Sequence, residues 1–177
     1  MRTHRRKTPC RTMAVAVVAA AAVTIPIPTT AIAGGHNPPR KPAASTSAPK
    51  ASGAEARVLK LVNRERRKAG CPPLRMNSGL KKAAQAHSAE MASRSNMSHT
   101  GSDGSAPDDR ISRAGYDWHS YGENIARGYA TPKSVVAGWM RSPGHRRNIL
   151  NCTFKEIGVG HARRGNYWTQ DFGTASR

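Results

Sequence analysis

The hydrophobic period of the chain changes once, and that change limits the folds open to it. From Val58 to Met140 the apolar residues recur at helical spacing. Val58, Leu61, Val62 and Ala69 form one stripe, Leu80, Ala83, Ala84, His87 and Met91 a second, and Val135, Val136, Trp139 and Met140 a third. From Ile157 onward the pattern alternates: Ile157, Val159 and His161 are separated by Gly158 and Gly160, and residues 167–172 are β-branched and aromatic. Gly165-Asn166 supplies a turn between these two runs, which predicts an antiparallel hairpin. Helices first and strands last predict an α+β layer architecture. Punctuation supports the helices. Ser52-Gly53-Ala54-Glu55 reads as a capping box, and Gly70 with Pro72 and Pro73 closes the first stripe. Asn77 or Ser78 opens the second helix, Thr131-Pro132 opens the third, and Pro143-Gly144 is expected to stop it.

The N-terminal third is not part of that core. Arg2, Arg5, Arg6, Lys7 and Arg11 precede an unbroken apolar run from Met13 to Val23, and Ala31-Ile32-Ala33 offers a signal-peptidase site. Residues 1–33 read as a signal peptide; an uncleaved anchor is the alternative, though the run is shorter than the roughly 20 residues of a membrane-spanning helix. Residues 34–53 are a linker rich in Pro, Ser and Ala that cannot bury enough apolar surface to offset its ordering entropy. One domain is left, residues 54–177, long enough for a single core. No second apolar span follows the leader, so a soluble, secreted, monomeric mature chain is expected.

Cys10 leaves with the leader, and Cys71 and Cys152 remain. In an exported chain a disulfide is the default, with free thiols or a metal pair as the alternatives. The chain carries a net charge of +19, and removing the leader's five basic residues leaves +14. Such a protein is drawn to anionic wall polymers or anionic membrane surfaces, although most of these charges read as solvated surface. The group Arg64, Arg66, Arg67 and Lys68 sits at a helix end, where cations suit the dipole. No zinc-finger spacing or aromatic nucleic-acid motif is present, which argues against nucleic acid as a partner.

Three segments in the C-terminal half are dense in chemistry: Tyr121-Gly122-Glu123-Asn124-Ile125-Ala126, then the stretch from Trp139 through Ser142-Pro143-Gly144-His145 to Leu150, then Tyr167-Trp168-Thr169-Gln170-Asp171-Phe172-Gly173. Upstream lies Asn96-Met97-Ser98-His99-Thr100. In this order they resemble the CAP superfamily (cysteine-rich secretory, antigen 5 and pathogenesis-related proteins), in its bacterial SCP-domain form. The resemblance spans nearly all of the domain and implies a three-layer α-β-α sandwich around a small C-terminal antiparallel sheet. It also implies a central cleft where two histidines and two glutamates hold a divalent cation in many members. His99 matches the first histidine and Glu123 the glutamate of Gly-Glu-Asn. Ser142 stands where the second glutamate is usual, and Tyr167 where the second histidine is.

His145, just past the third helix, is placed to reach the same cleft. His99, Glu123 and His145 are therefore the candidate metal ligands, a three-ligand set suited to zinc with an open position; with Gln170 they are the candidate cleft residues. The cation is optional, and the spacing itself is no zinc motif. Each residue has a structural alternative: a backbone bond at the Pro-Gly turn for His145, an ion pair with Arg or His for Glu123, bonds to buried main chain for Gln170. Asn124 reads as a brace and His87 as a core histidine. No Gly-x-Ser-x-Gly elbow is present, and no serine (Ser98, Ser120 or Ser142) is tied by sequence to a base. The leading expectation is a secreted binding module for an unidentified small ligand, lipid or peptide. A metal-assisted hydrolase of peptides or wall material is the alternative, followed by a toxin-like effector directed at membranes.

Overall fold

The computed structural model describes residues 53–176, all within one compact unit (Thr46–Arg177). The expected signal peptide, the linker up to residue 52 and the Ser52 end of the capping box lie outside the described residues. Five helices and four strands follow: α1 (Gly53–Lys68), β1 (Arg75–Met76), α2 (Ser78–Arg94), α3 (Pro107–Arg113), β2 (Trp118–Ala126), α4 (Pro132–Arg141), α5 (Pro143–Ile149), β3 (Glu156–Ala162) and β4 (Tyr167–Ala175).

All three expected helices are present, and the two whose caps are described start where those caps predict. The Asn77 side chain accepts from the backbone N–H of Gly79 and Leu80 at the head of α2, and Thr131 caps α4 through Ser134. At the end of α1 the Cys71 N–H donates to the Arg66 carbonyl and Gly70 takes φ +75°, as a left-handed helix stop requires. The expectation at Pro143 needs correction. It does end α4, but it is also the first residue of α5, a position where its missing N–H costs no helical bond. Two further elements have weak local signatures, the short helix α3 and the edge strand β2.

The sheet order is β1-β3-β4-β2. β3 and β4 form the predicted antiparallel hairpin, with Gly165 and Asn166 both at positive φ in its turn. β2 adds antiparallel to β4, while the two-residue β1 pairs parallel with β3, so the sheet is mixed. Side chains alternate across it. Ile157, Val159, Trp168 and Phe172 meet Val58 and Val62 of α1, Val135 and Trp139 of α4, and Ile149 of α5 in the main core. On the other face α2 and α3 bury Leu80, Ala83 and Ile111 with Tyr116. The result is the three-layer α-β-α sandwich.

Two features hold the layers. Gly158 and Gly160 let the α2 backbone rest directly on β3; a Cβ on Gly160 would lie 2.3 Å from the Ala84 carbonyl oxygen. On the opposite face Arg66 is fully buried. Its guanidinium donates to the carbonyls of Pro72, Ile149, Asn151 and Phe154 at 2.8–3.1 Å. Arg66 thus leaves the solvent-facing cluster in which its sequence neighbours Arg64, Arg67 and Lys68 remain. Beside it the Cys71–Cys152 disulfide, with Cα atoms 5.0 Å apart, ties the end of α1 to the segment before β3.

Replacing Arg66 takes the donor from four carbonyls, of which those of the buried Ile149 and Phe154 are the costly ones to leave without a partner. Urea unfolding should register a loss of more than about 3 kcal/mol for Arg66→Met and within about 0.5 kcal/mol for the exposed Arg67→Met. Equal losses would contradict the assigned role.

Candidate functional site

Glu123 lies in β2 directly opposite Asp171 in β4, so both carboxyls point to the α2–α3 face. Its side chain is 2% exposed. Oε2 accepts from an Arg110 guanidinium nitrogen at 2.7 Å, and Arg110 is fixed by a second bond to the Ser105 carbonyl. Oε1 accepts from His99 Nδ1 at 2.6 Å. His99 is the accessible member, its side chain 53% exposed. Burial alone would raise the Glu123 pKa; the His99 hydrogen bond and the Arg110 charge outweigh it and hold the carboxyl below its usual range.

Asp171 has no cationic partner of its own. Burial, together with the adjacent Glu123 charge, pushes its pKa well above the usual carboxylate range against the opposing Arg110 charge, and its buried Oδ1 has no hydrogen-bond partner. Of these two opposed carboxyls, Asp171 is therefore the harder to ionise and Glu123 the easier. His87 completes the cluster from α2. Nε2 is 2.9 Å from the Ser98 carbonyl and 4.0 Å from Glu123 Oε2, and burial holds its pKa down. A neutral ring then donates from Nε2 to Ser98, which leaves the buried Nδ1 without a hydrogen bond, 3.6 Å from Glu90 Oε2. His87 is buried as expected of a core residue, yet it borders the charged cluster.

The other candidate residues lie across the sheet. Asn124 and Gln170, also paired in register, face α5. The Asn124 amide donates to Gln170 Oε1 and to the His145 carbonyl, and Asn148 donates to Asn124 Oδ1 and to the Glu123 carbonyl. Asn124 is the expected brace. Gln170 is fully buried behind it and does not open onto the cleft. The His145 ring is near enough to His99 that the His99 charge adds to burial in lowering its pKa. The two imidazoles therefore approach the β2 edge from opposite layers.

The arrangement does not fit a resident metal ion. Both Glu123 oxygens are engaged, one by a guanidinium, and among the described residues no group of three or more His, Cys, Asp or Glu is arranged to hold one. Nor does it present a nucleophile with its base. Ser98 Oγ accepts from the Thr100 N–H, Ser120 Oγ is buried without a partner, and Ser142 makes no side-chain cap bond. Sequence reasoning missed Arg110 and Asp171. An acid in the middle of the β4 run, flanked by Trp168 and Phe172, was a usable signal for Asp171, because such residues are seldom buried unpaired. Arg110 gave none, since its role depends on the placement of α3.

The sign of the pH dependence follows for Asp171. Its folded pKa is raised, so the folded state binds the extra proton and stability falls as pH rises above the unfolded value of about 4. Asn imitates the protonated acid without titrating. Asp171→Asn should therefore stabilise the protein at neutral pH by about 1 kcal/mol, within the usual span of single substitutions, with the gain vanishing below about pH 4. A gain that persists in acid, or a loss at neutral pH, would contradict the raised pKa of Asp171.

Residues 59–172 match the model of the cysteine-rich secretory protein family, CAP. The chain is 43% identical over 129 residues to the uncharacterised Bacillus subtilis protein YkwD, covering 72% of this chain and 50% of that one. It is 34% identical over 118 residues to the uncharacterised Bacillus subtilis membrane protein YlbC, covering 67% and 34%. The chain thus spans half or less of the length of these two relatives. Among solved structures, an extracellular SCP-domain protein of Bacillus anthracis superposes with a TM-score of 0.65 at 28% identity, covering 72% of this chain and 45% of that one. An outer surface protein of Borrelia burgdorferi has the same fold, with a TM-score of 0.62 at 21% identity, covering 67% of this chain and 90% of that one. With nearly two thirds of its length matched and its sandwich shared with these structures, the chain belongs to the cysteine-rich secretory protein (CAP) family.

Proposed function

We propose that this protein is an exported CAP-domain binding module of the cell envelope or extracellular space, and that its cleft takes a small ligand, lipid or peptide at His99. The observation carrying this reading is the state of Glu123. Its oxygens are locked by Arg110 and His99, so the buried charge orients an exposed imidazole instead of attacking a substrate or activating a water. A rigid donor-acceptor group at the rim of a cleft, held by buried partners, is what a binding site requires. Export is supported by the leader sequence, the disulfide and the extracellular setting named for the similar Bacillus anthracis protein. Among the described residues no helix is long and apolar enough to cross a membrane.

A second reading has one observation in its favour. Glu123 and Asp171 are paired carboxyls whose pKa values are driven apart, an arrangement that acid–base hydrolases use. Against it, both lie at 2% exposure, out of reach of a bulky substrate. The toxin-like reading has less support: Met97 and Tyr121 are the large apolar side chains exposed among the described residues, too few for a membrane-inserting face.

Two measurements test the proposal. N-terminal sequencing of protein recovered outside the producing cells should begin at Gly34; a retained Met1 would overturn export. Co-sedimentation with isolated cell envelopes, at an ionic strength of about 0.5 M where charges are screened beyond roughly 4 Å, isolates the cleft. There His99→Ala should weaken binding about tenfold, the equivalent of one charge-assisted hydrogen bond. Peptide or wall turnover abolished by His99→Ala would favour the hydrolase instead.

A further inference from the structure

The charge of the domain is divided unevenly between its two helical layers. Helices α1, α4 and α5, which share one face of the sheet, carry ten Lys or Arg and two Glu, a net +8. The opposite layer, residues 78–117, carries five basic and five acidic residues and is neutral. Of the ten cations, Arg66 is buried and the other nine are exposed. Among the described residues, only Arg64 and Lys68 of these nine pair with an acid, Glu65. The remaining Glu of this layer, Glu55, is buried and pairs with Lys81 of α2. Six of the nine exposed cations are arginine, whose planar fork grips phosphate through two parallel bonds.

The surface is also grooved. Arg57, Lys60 and Leu61 of α1 and Lys133 of α4 line a recess of about 370 Å³. Arg146 and Arg147 of α5, with Pro143 and Leu150, line a second of about 410 Å³. Neither Met97 nor Tyr121, the exposed large apolar residues, lies on these helices. A flat lipid surface cannot enter recesses between helices, and the apolar residues Leu61 and Leu150 line those recesses and are only partly exposed. It also has no exposed large aromatic ring on which a nucleobase could stack.

We infer that the outer face of α1, α4 and α5 is a docking surface for a linear phosphate-bearing polymer, threaded across the α1–α4 and α5 recesses. This deepens the proposed function and rests on it only for where the polymer is met. His99 reaches the cleft from the loop after α2, whereas the two recesses lie on the α1, α4 and α5 layer, which meets the cleft at His145 of α5.

Long-chain inorganic polyphosphate is the probe, titrated into the full chain at several salt concentrations. Binding should weaken steeply with salt, as displacement of condensed counterions requires. Arg57→Glu with Lys60→Glu, and separately Arg146→Glu with Arg147→Glu, should each weaken it by about tenfold or more, whereas Lys82→Glu with Arg94→Glu on α2 should change it by less than about twofold. All three pairs change net charge equally, and matching circular dichroism verifies folding. An equal loss in the α2 pair reduces the effect to net charge and overturns the inference. So does a polyuronate binding as tightly as polyphosphate, or tighter binding to vesicles rich in phosphatidylglycerol. A chain that binds polyphosphate as described but retains Met1 leaves this inference standing and removes export.

Discussion

A charged carboxylate in a protein interior needs cationic partners, and the demand made by Glu123 organises the site around it. Arg110 answers from α3 and His99 from the loop after α2, so both segments are pinned to the edge strand β2. Both partners bond to Glu123 and neither to Asp171, its register neighbour on β4, so burial and the Glu123 charge raise the Asp171 pKa despite the Arg110 charge nearby. His87, wedged against the same carboxylate, is kept neutral by burial. The cluster carries little net charge inside and presents one exposed imidazole outside.

This geometry depends on how closely the layers approach. Because Gly158 and Gly160 carry no side chain, α2 lies against β3 at backbone contact, which brings Ser88 within 2.9 Å of Thr169 and sets His87 beside Glu123. The other layer is fixed by Arg66, whose four carbonyl partners gather the end of α5 and the Cys152 segment under α1. The two layers then serve different ends. The α2–α3 layer encloses the charged cluster, and the α1–α4–α5 layer turns its cations to solvent.

Much of this was legible before the fold was known. Periodicity located α1, α2, α4 and the β3–β4 hairpin, since each has a long apolar stripe or a turn with defined chemistry. Pro143 misled because proline both ends one helix and starts the next, and a seven-residue helix has too few turns to display a period. β2 was hidden because its first half alternates only between exposed and half-buried positions while its second half is buried throughout, so no one period runs along it. In the site, the family resemblance supplied His99 and Glu123, which are in contact. The charges that decide their behaviour, Arg110 and Asp171, come from elements 13 residues before and 48 residues after Glu123 and meet it only through tertiary structure. Arg66 shows the same limit in another form: it falls four residues past Val62 on the buried stripe of α1 while Arg67 does not, but the carbonyls that make a cation tolerable there are assembled only by tertiary structure.

The central claim is that Glu123 is ionised and Asp171 protonated at neutral pH. Carboxyl-carbon NMR of the labelled protein reads each group directly. The account predicts a protonated Asp171 shift and an ionised Glu123 shift at about pH 7, with the Asp171 signal moving only well above the ordinary carboxylate range near pH 4. Two ionised signals at neutral pH, or a proton residing on Glu123, would contradict it.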